Sequence, residues 1–447
     1  MRRRLWLLLA LGAVVIAAVL AAAPRFLARG RAGADQGVTI TFRFPEELAG
    51  PVERLVGAFH QEHPRIRVLP VPVPGDPARR RESLEREMAD LNTVETDLFA
   101  VELSWLPAWH AAGWARSLEP LGADQLTEAF VDQAAAAVRF SDGTYGLPWV
   151  LEPSLLYYRR DLIEGAGLDP PESWGDVVRL SRQFMDSGAV RWGLVWAGTP
   201  PEHLARLFVE LVWANGGDLV QDGQVAVART PAREALAFLR DLIHTHRVSP
   251  PAALDGSLAG VRRAFQDGDP LMVHHPPALW RTAAERQAGA ERWGVALWPP
   301  GPQGTAAVTS VDGWALVLHP QTPRLEAAWT LARWLVGPGA QQLLARETGR
   351  LPALVAPYHE PGAPERQPFL STMYTLVASS GRPLPAFDDW PAVADAVARH
   401  VRQAVTGQRT PEEALERLAQ ELERLIPPQA RRTERDTPIG LQRRTAD

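Results

Sequence analysis

Between residues 38 and 103 the hydrophobic period of the chain switches back and forth between two and 3.6. Val38 to Phe44 alternates Val, Ile, Phe and Phe with Thr and Arg, which reads as a strand. Leu48, Val52, Leu55, Val56 and Phe59 then fall on one helical face, and His63-Pro64 stops that helix. Ile66, Val68 and Val71 restart a strand, Leu84, Met88 and Leu91 mark a second helix, and Asp97 to Leu103 is a short apolar strand. This β-α-β-α-β order predicts a parallel sheet with helices on both faces. Later helices carry start signals. Ser173 stands three residues before Asp176, and Thr410-Pro411-Glu412-Glu413 combines a capping box with Pro at the first helical position. Thr322-Pro323 opens a helix through Leu325, Ala328, Trp329, Ala332 and Leu335, with Gly337 as its expected end.

The 447 residues suffice for two or three domains without covalent staples. There is no cysteine, so disulfides, thiolate metal sites, a cysteine nucleophile and a cysteine-linked lipid anchor are all excluded. All 47 basic residues are Arg, and the net charge of -5 argues against a nucleic-acid binder. Arg2, Arg3 and Arg4 precede an uncharged run from Leu5 to Ala23, roughly 28 Å of helix and close to a bilayer's hydrocarbon thickness. Residues 1–31 therefore read as a signal peptide or an uncleaved signal anchor. Ala21 and Ala23 fit a small-x-small cleavage pattern, and the remainder is expected to be exported. Leu204 to Trp213 is too short to span, and Arg206 and Glu210 interrupt it. Residues 427–447, rich in Pro, Arg and Thr, read as a disordered tail.

Several phrases together carry a family resemblance. They are "LVGAFHQEHPRIRV", "TDLFAVELSWLPAWHAAGWARSLEPL", "DGTYGLPWVLEPSLLYYRRDLIEGAGLDPPESWGDV", "FVELVWANGGDLVQDG", "FQDGDPLMV", "VDGWALVLHP", "AAWTLARWLVGPGAQQLLARETGRLPA" and "PAFDDWPAVADAVARHVRQAVTGQRTPEEAL". In this order they resemble the family 1 extracellular solute-binding proteins of ABC importers, and most of all the trehalose/maltose-binding branch. The resemblance implies an α/β fold of two lobes joined by a hinge, preceded by the signal or anchor helix. It places lobe one at residues 38–148 plus 312–358 and lobe two at 149–311 plus 359–426. The chain would cross between them near Leu147 to Glu152, Ala306 to Asp312 and Pro357 to Gln367. It implies a monomer without cofactor or metal that closes on a carbohydrate, a di- or oligosaccharide, and delivers it to permease subunits in the membrane, from the periplasm or the outer membrane face.

The same resemblance suggests the ligand-binding residues. Glu102, after the Asp97 to Val101 strand, and Glu152, in the first crossing, stand where the branch has ligand-binding Asp. Trp314 matches a Gly-Gly-Trp phrase whose first Gly is here Asp312, and Arg382 matches a ligand-contacting Arg-Pro phrase. Trp149 beside Glu152 is a candidate platform. Carboxylates and a forked guanidinium suit sugar hydroxyls, and indoles suit the apolar ring face. After "FQDGDPLMV", where the family has further aromatics, Pro276 and Ala278 replace two of them and Trp280 remains. His274 and His275 are possible contacts, but adjacent side chains diverge and make no metal site. Glu46 or Glu47, at the first strand–helix turn, could face the cleft, but the favoured reading is a first-turn acid interacting with a helix dipole. No HExxH, G-x-S-x-G, P-loop or strand-borne G-x-G-x-x-G is present. Glu102 with Glu152 is the one carboxylate pair that invites a glycosidase alternative. A membrane-tethered sensor with a diverged cleft is the other.

Overall fold

The computed structural model describes residues 37–279, 292–360 and 368–428. The expected signal or anchor segment and nearly all of the expected tail lie outside them. Among the described residues no helix is long and apolar enough to cross a membrane.

The opening folds as its periodicity predicts. Strand β1 (Val38–Pro45), helix α1 (Ala49–Glu62), strand β2 (Ile66–Val73), helix α2 (Pro77–Met88) and strand β3 (Leu98–Glu102) follow one another. β1 pairs in parallel with both β2 and β3. Val52, Leu55, Val56 and Phe59 are the buried stripe of α1. Strands β4 (Leu147–Pro153) and β5 (Leu155–Arg159), helix α3 (Trp174–Asp186), strand β6 (Trp192–Val195) and helices α4 (Pro201–Ala214), α5 (Thr230–His244) and α6 (Leu258–Asp267) come next. Strands β7 (Pro270–His275), β8 (Trp293–Ala296) and β9 (Thr309–Leu318), helices α7 (Leu325–Leu335) and α8 (Pro338–Thr348) and strand β10 (Leu351–Pro352) lead into the last part. Helix α9 (Pro368–Ser380), strand β11 (Gly381–Pro383) and helices α10 (Trp390–Val405) and α11 (Pro411–Leu425) complete it.

Two large sheets result among the described residues, each at the core of one lobe. The first has the order β10-β4-β9-β3-β1-β2, with β11 beside β9, and the second the order β8-β5-β7-β6. The first sheet is mixed, not purely parallel, because β9 runs antiparallel to β3 and to β4. β4 stays paired to β9 through Pro153, β9 begins at Thr309, and α9 packs against β9, β10 and β11 of the first sheet and against β8 of the second. Thr410 and Glu413 form the expected reciprocal capping box. At α3 the Ser173 hydroxyl accepts the Asp176 amide and itself donates to the Asp176 carboxylate. Gly337 does not end α7 in a left-handed turn; its φ is -68°, and it caps the start of α8 instead.

Candidate ligand-binding cleft

Strand register assembles the site. In the antiparallel ladders of β9, Trp314 lies opposite Glu102 and Asp312 opposite Glu152. Directly opposed residues share a face, and residues two apart share it too. Four side chains from three distant stretches of sequence therefore stand together on the central strands. Gly313 between them has φ +148°, and a Cβ there would meet the Val150 carbonyl oxygen at 2.0 Å, so only glycine fits.

These residues line a cavity of about 430 Å³ between the lobes. The first lobe adds Arg80, Ser104 and Arg350, with Glu46 and Glu47, which face the cavity rather than serving only a helix dipole. The second lobe contributes Glu202, His203, Arg206, His275, Pro276, Ala278 and Trp390. Glu102, Glu152 and Trp314 are thus brought together. Pro276 and Ala278, which stand where aromatics were expected, are also at the wall.

Asp312 is the structural centre of the cleft. Its carboxylate accepts from the Ser104 amide (3.2 Å), the Ser104 hydroxyl (2.9 Å) and the Gly313 amide (2.9 Å). From the second lobe, Arg206 on α4 donates to it at 2.6 Å and reaches the Glu152 carbonyl at 3.4 Å. Glu152 pairs with Arg350, and Glu102 with Arg80. Burial pushes the Glu152 carboxyl up, but Arg350 and Arg206 outweigh it and hold the group below the usual value. For Glu102 burial wins over Arg80, with Asp312 and Glu202 adding repulsion, and the carboxyl rises to about 8. Burial also raises Glu47 and Glu202. It lowers His203 to about 3 and His275 to about 4, so both imidazoles are neutral donors and acceptors at pH 7.

Two of the expected site residues are elsewhere, and a third is not among the described residues. Trp149 is fully buried, edge-on to Phe42 at 5.8 Å, and its carbonyl accepts from Gln341. The β4–β9 register skips it at a bulge, which turns the indole into the core and away from Glu152. Arg382 lies outside the cleft wall. Its guanidinium covers Trp213 at 4.3 Å and pairs with Asp218 at 2.7 Å, beside a separate cavity of about 330 Å³. Trp280 is outside the described residues. His274 is also withdrawn, donating to or accepting from the fully buried Glu210 at 2.7 Å.

Arg80, Arg206, Arg350 and Trp390 escaped the sequence reading. A local signal existed for one of them. Arg206 and Glu210 are two charges four apart in an otherwise apolar helix, hence on one face, and both turn out to be paired in the interior.

The fold and this cleft define a two-lobed periplasmic-binding-protein architecture. The family model for bacterial extracellular solute-binding proteins matches residues 45–342, and the chain belongs to that family. It is 25% identical over 374 residues to a probable ABC transporter-binding protein of Deinococcus radiodurans, covering 80% of this chain and 86% of that one. Maltose-bound MalE3 of T. maritima superposes with a TM-score of 0.80 at 27% identity, covering 87% of this chain and 100% of the other. The GacH receptor of Streptomyces glaucescens, at 21% identity, shares the fold, with a TM-score of 0.76 and coverage of 87% and 98%.

Proposed function

We propose that this solute-binding protein is the exported binding component of an ABC importer and that it holds a carbohydrate in the interlobe cleft, closing about its hinge. The observation that carries this is the shared face of Glu102, Glu152, Asp312 and Trp314, opposed across the cavity by His203, Arg206 and Trp390. Acceptors, forked donors and neutral imidazoles are arranged around a space within the size range of small-molecule sites. The solved relative with bound maltose supports a carbohydrate, and the Deinococcus relative supports an ABC importer. Residues 38–153 with 309–383 form one lobe in this reading, and residues 154–308 with 390–426 the other. Residues 1–31 direct export, and a permease in the membrane receives the solute.

Binding proceeds without turnover. Glu152, which a glycosidase would need as a free nucleophile or base, is tied to Arg350. A thermal-shift screen of carbohydrates tests the reading. At least one ligand should raise the melting temperature as its concentration passes Kd, and product analysis should return it unchanged. A panel of pentoses, hexoses, alditols and glucose oligomers that shifts nothing, or a cleaved glycoside, would overturn it.

A further inference from the structure

Trp314 was expected to offer its ring to a sugar, and the structure puts something else there. The Arg80 guanidinium lies 4.8 Å from the centre of the Trp314 ring and 5.6 Å from that of Trp105, wedged against both. Arg80 is 3% exposed and Trp314 2%. The guanidinium is held from several directions. One nitrogen donates to the Pro74 and Gly75 carbonyls, each at 3.1 Å, and the other pairs with Glu102. Its helix is fixed at the start by the Asp76 cap and Pro77 at the first turn. The ring face is therefore covered by a well-anchored cation.

No other aromatic compensates among the described residues of the cleft. Trp390 is 1% exposed, and Pro276 and Ala278 stand where the family carries rings. A ring stacked on an indole gains about two- to tenfold in affinity from each such contact, so an oligosaccharide, with more rings to place, loses more by the absence of a platform. Hydrogen bonding has no such deficit. Glu47, Glu152, Arg350, Arg206, His203 and His275 all reach the same cavity.

We propose that Arg80 is the specificity-determining residue of the cleft. By covering Trp314 it leaves hydrogen bonding as the means of capture, so the cleft selects a monosaccharide-sized polyol over a glucose oligomer. This rests on the carbohydrate reading above and narrows it.

Calorimetric titration of the exported protein against a panel of pentoses, hexoses and their alditols, alongside maltose and maltotriose, tests the selection. The best monosaccharide-sized ligand should bind at least about tenfold more tightly than maltose. Maltose or maltotriose binding as tightly or more tightly overturns the inference and leaves the carbohydrate reading intact. Binding of neither class overturns the carbohydrate reading itself, and the inference with it. The role of Arg80 is tested by the double variant Arg80→Met with Glu102→Gln, which removes the cation together with the carboxyl that it pairs with. Its ratio of maltose affinity to monosaccharide affinity should rise about tenfold as the Trp314 face opens. Arg80→Lys keeps the charge, loses the planar fork, and should move the ratio the same way by less. A ratio unchanged in either folded variant overturns the assignment of Arg80, since a merely structural role would lower both affinities together.

Discussion

At Asp312 one carboxylate accepts from Ser104, Gly313 and Arg206 at once, and it is almost wholly buried. Replacing it with Ala leaves Arg206 without its partner in the interior. Urea denaturation of Asp312→Ala should show a loss of about 3–5 kcal/mol, the usual cost of breaking a buried ion pair; a loss under about 1 kcal/mol would mean that Arg206 finds water instead. Glu102 makes a pH-dependent prediction. Its carboxyl rises from 4.5 to about 8 in the folded protein, so the folded form holds the proton more tightly than the unfolded chain does. The resulting stabilisation is fully present below about pH 4.5 and is lost as pH climbs through about 8. Melting temperature followed across that window should fall less steeply in Glu102→Gln than in the parent. Glu102, Glu152 and Trp314 were legible because each sits in a phrase with a recognisable neighbourhood. Arg80 was not, because an arginine in the run Ala78 to Met88, crowded with charge, is solvated by default. Only the fold shows that this one turns inward.

The register between β9 and its neighbours is the element that makes a site, and Gly313 is where it is most exposed to damage. Gly313→Ala would drive a methyl into the Val150 carbonyl at a positive φ. It should cost more than the roughly 1–3 kcal/mol of a strained backbone position alone, because the ladder must also shift. Chemical denaturation checks the stability, and loss of ligand-induced stabilisation in the folded fraction checks the site. At the other extreme of size, Thr410→Ala removes one limb of the α11 capping box and should cost about 1 kcal/mol with no effect on binding. The opening strands and helices were readable from period alone. The antiparallel return of β9 was not, since alternation of apolar and polar residues says nothing about direction or about which distant strand is the neighbour. The same blindness misplaced Trp149. Three positions from Glu152 and at a bulge, it is close in sequence and turned into the core.

Among the described residues, three ion pairs tie the lobes. Arg206 of α4 holds Asp312 at 2.6 Å, Arg382 of β11 holds Asp218 at 2.7 Å, and Arg81 of α2 approaches Asp389 at the start of α10 at 3.7 Å. The last two are partly exposed and individually weak, each worth about 0–1 kcal/mol. Opening about the crossing strands would break these two at little cost and would move Arg206 and Asp312 from a buried pair into water, and a ligand contacting both lobes would restore all three. The overall architecture was legible because eight phrases occur in family order, which specifies connectivity even where no phrase alone is diagnostic. The ligand was not, because one covered indole face alters the chemistry of the cleft without altering any motif. Small-angle scattering of the exported protein, alone and saturated with the tightest ligand from the screen, measures the central claim directly. Capture between closing lobes requires the radius of gyration to fall on saturation. An unchanged radius of gyration at full occupancy, confirmed by calorimetry on the same sample, would contradict it.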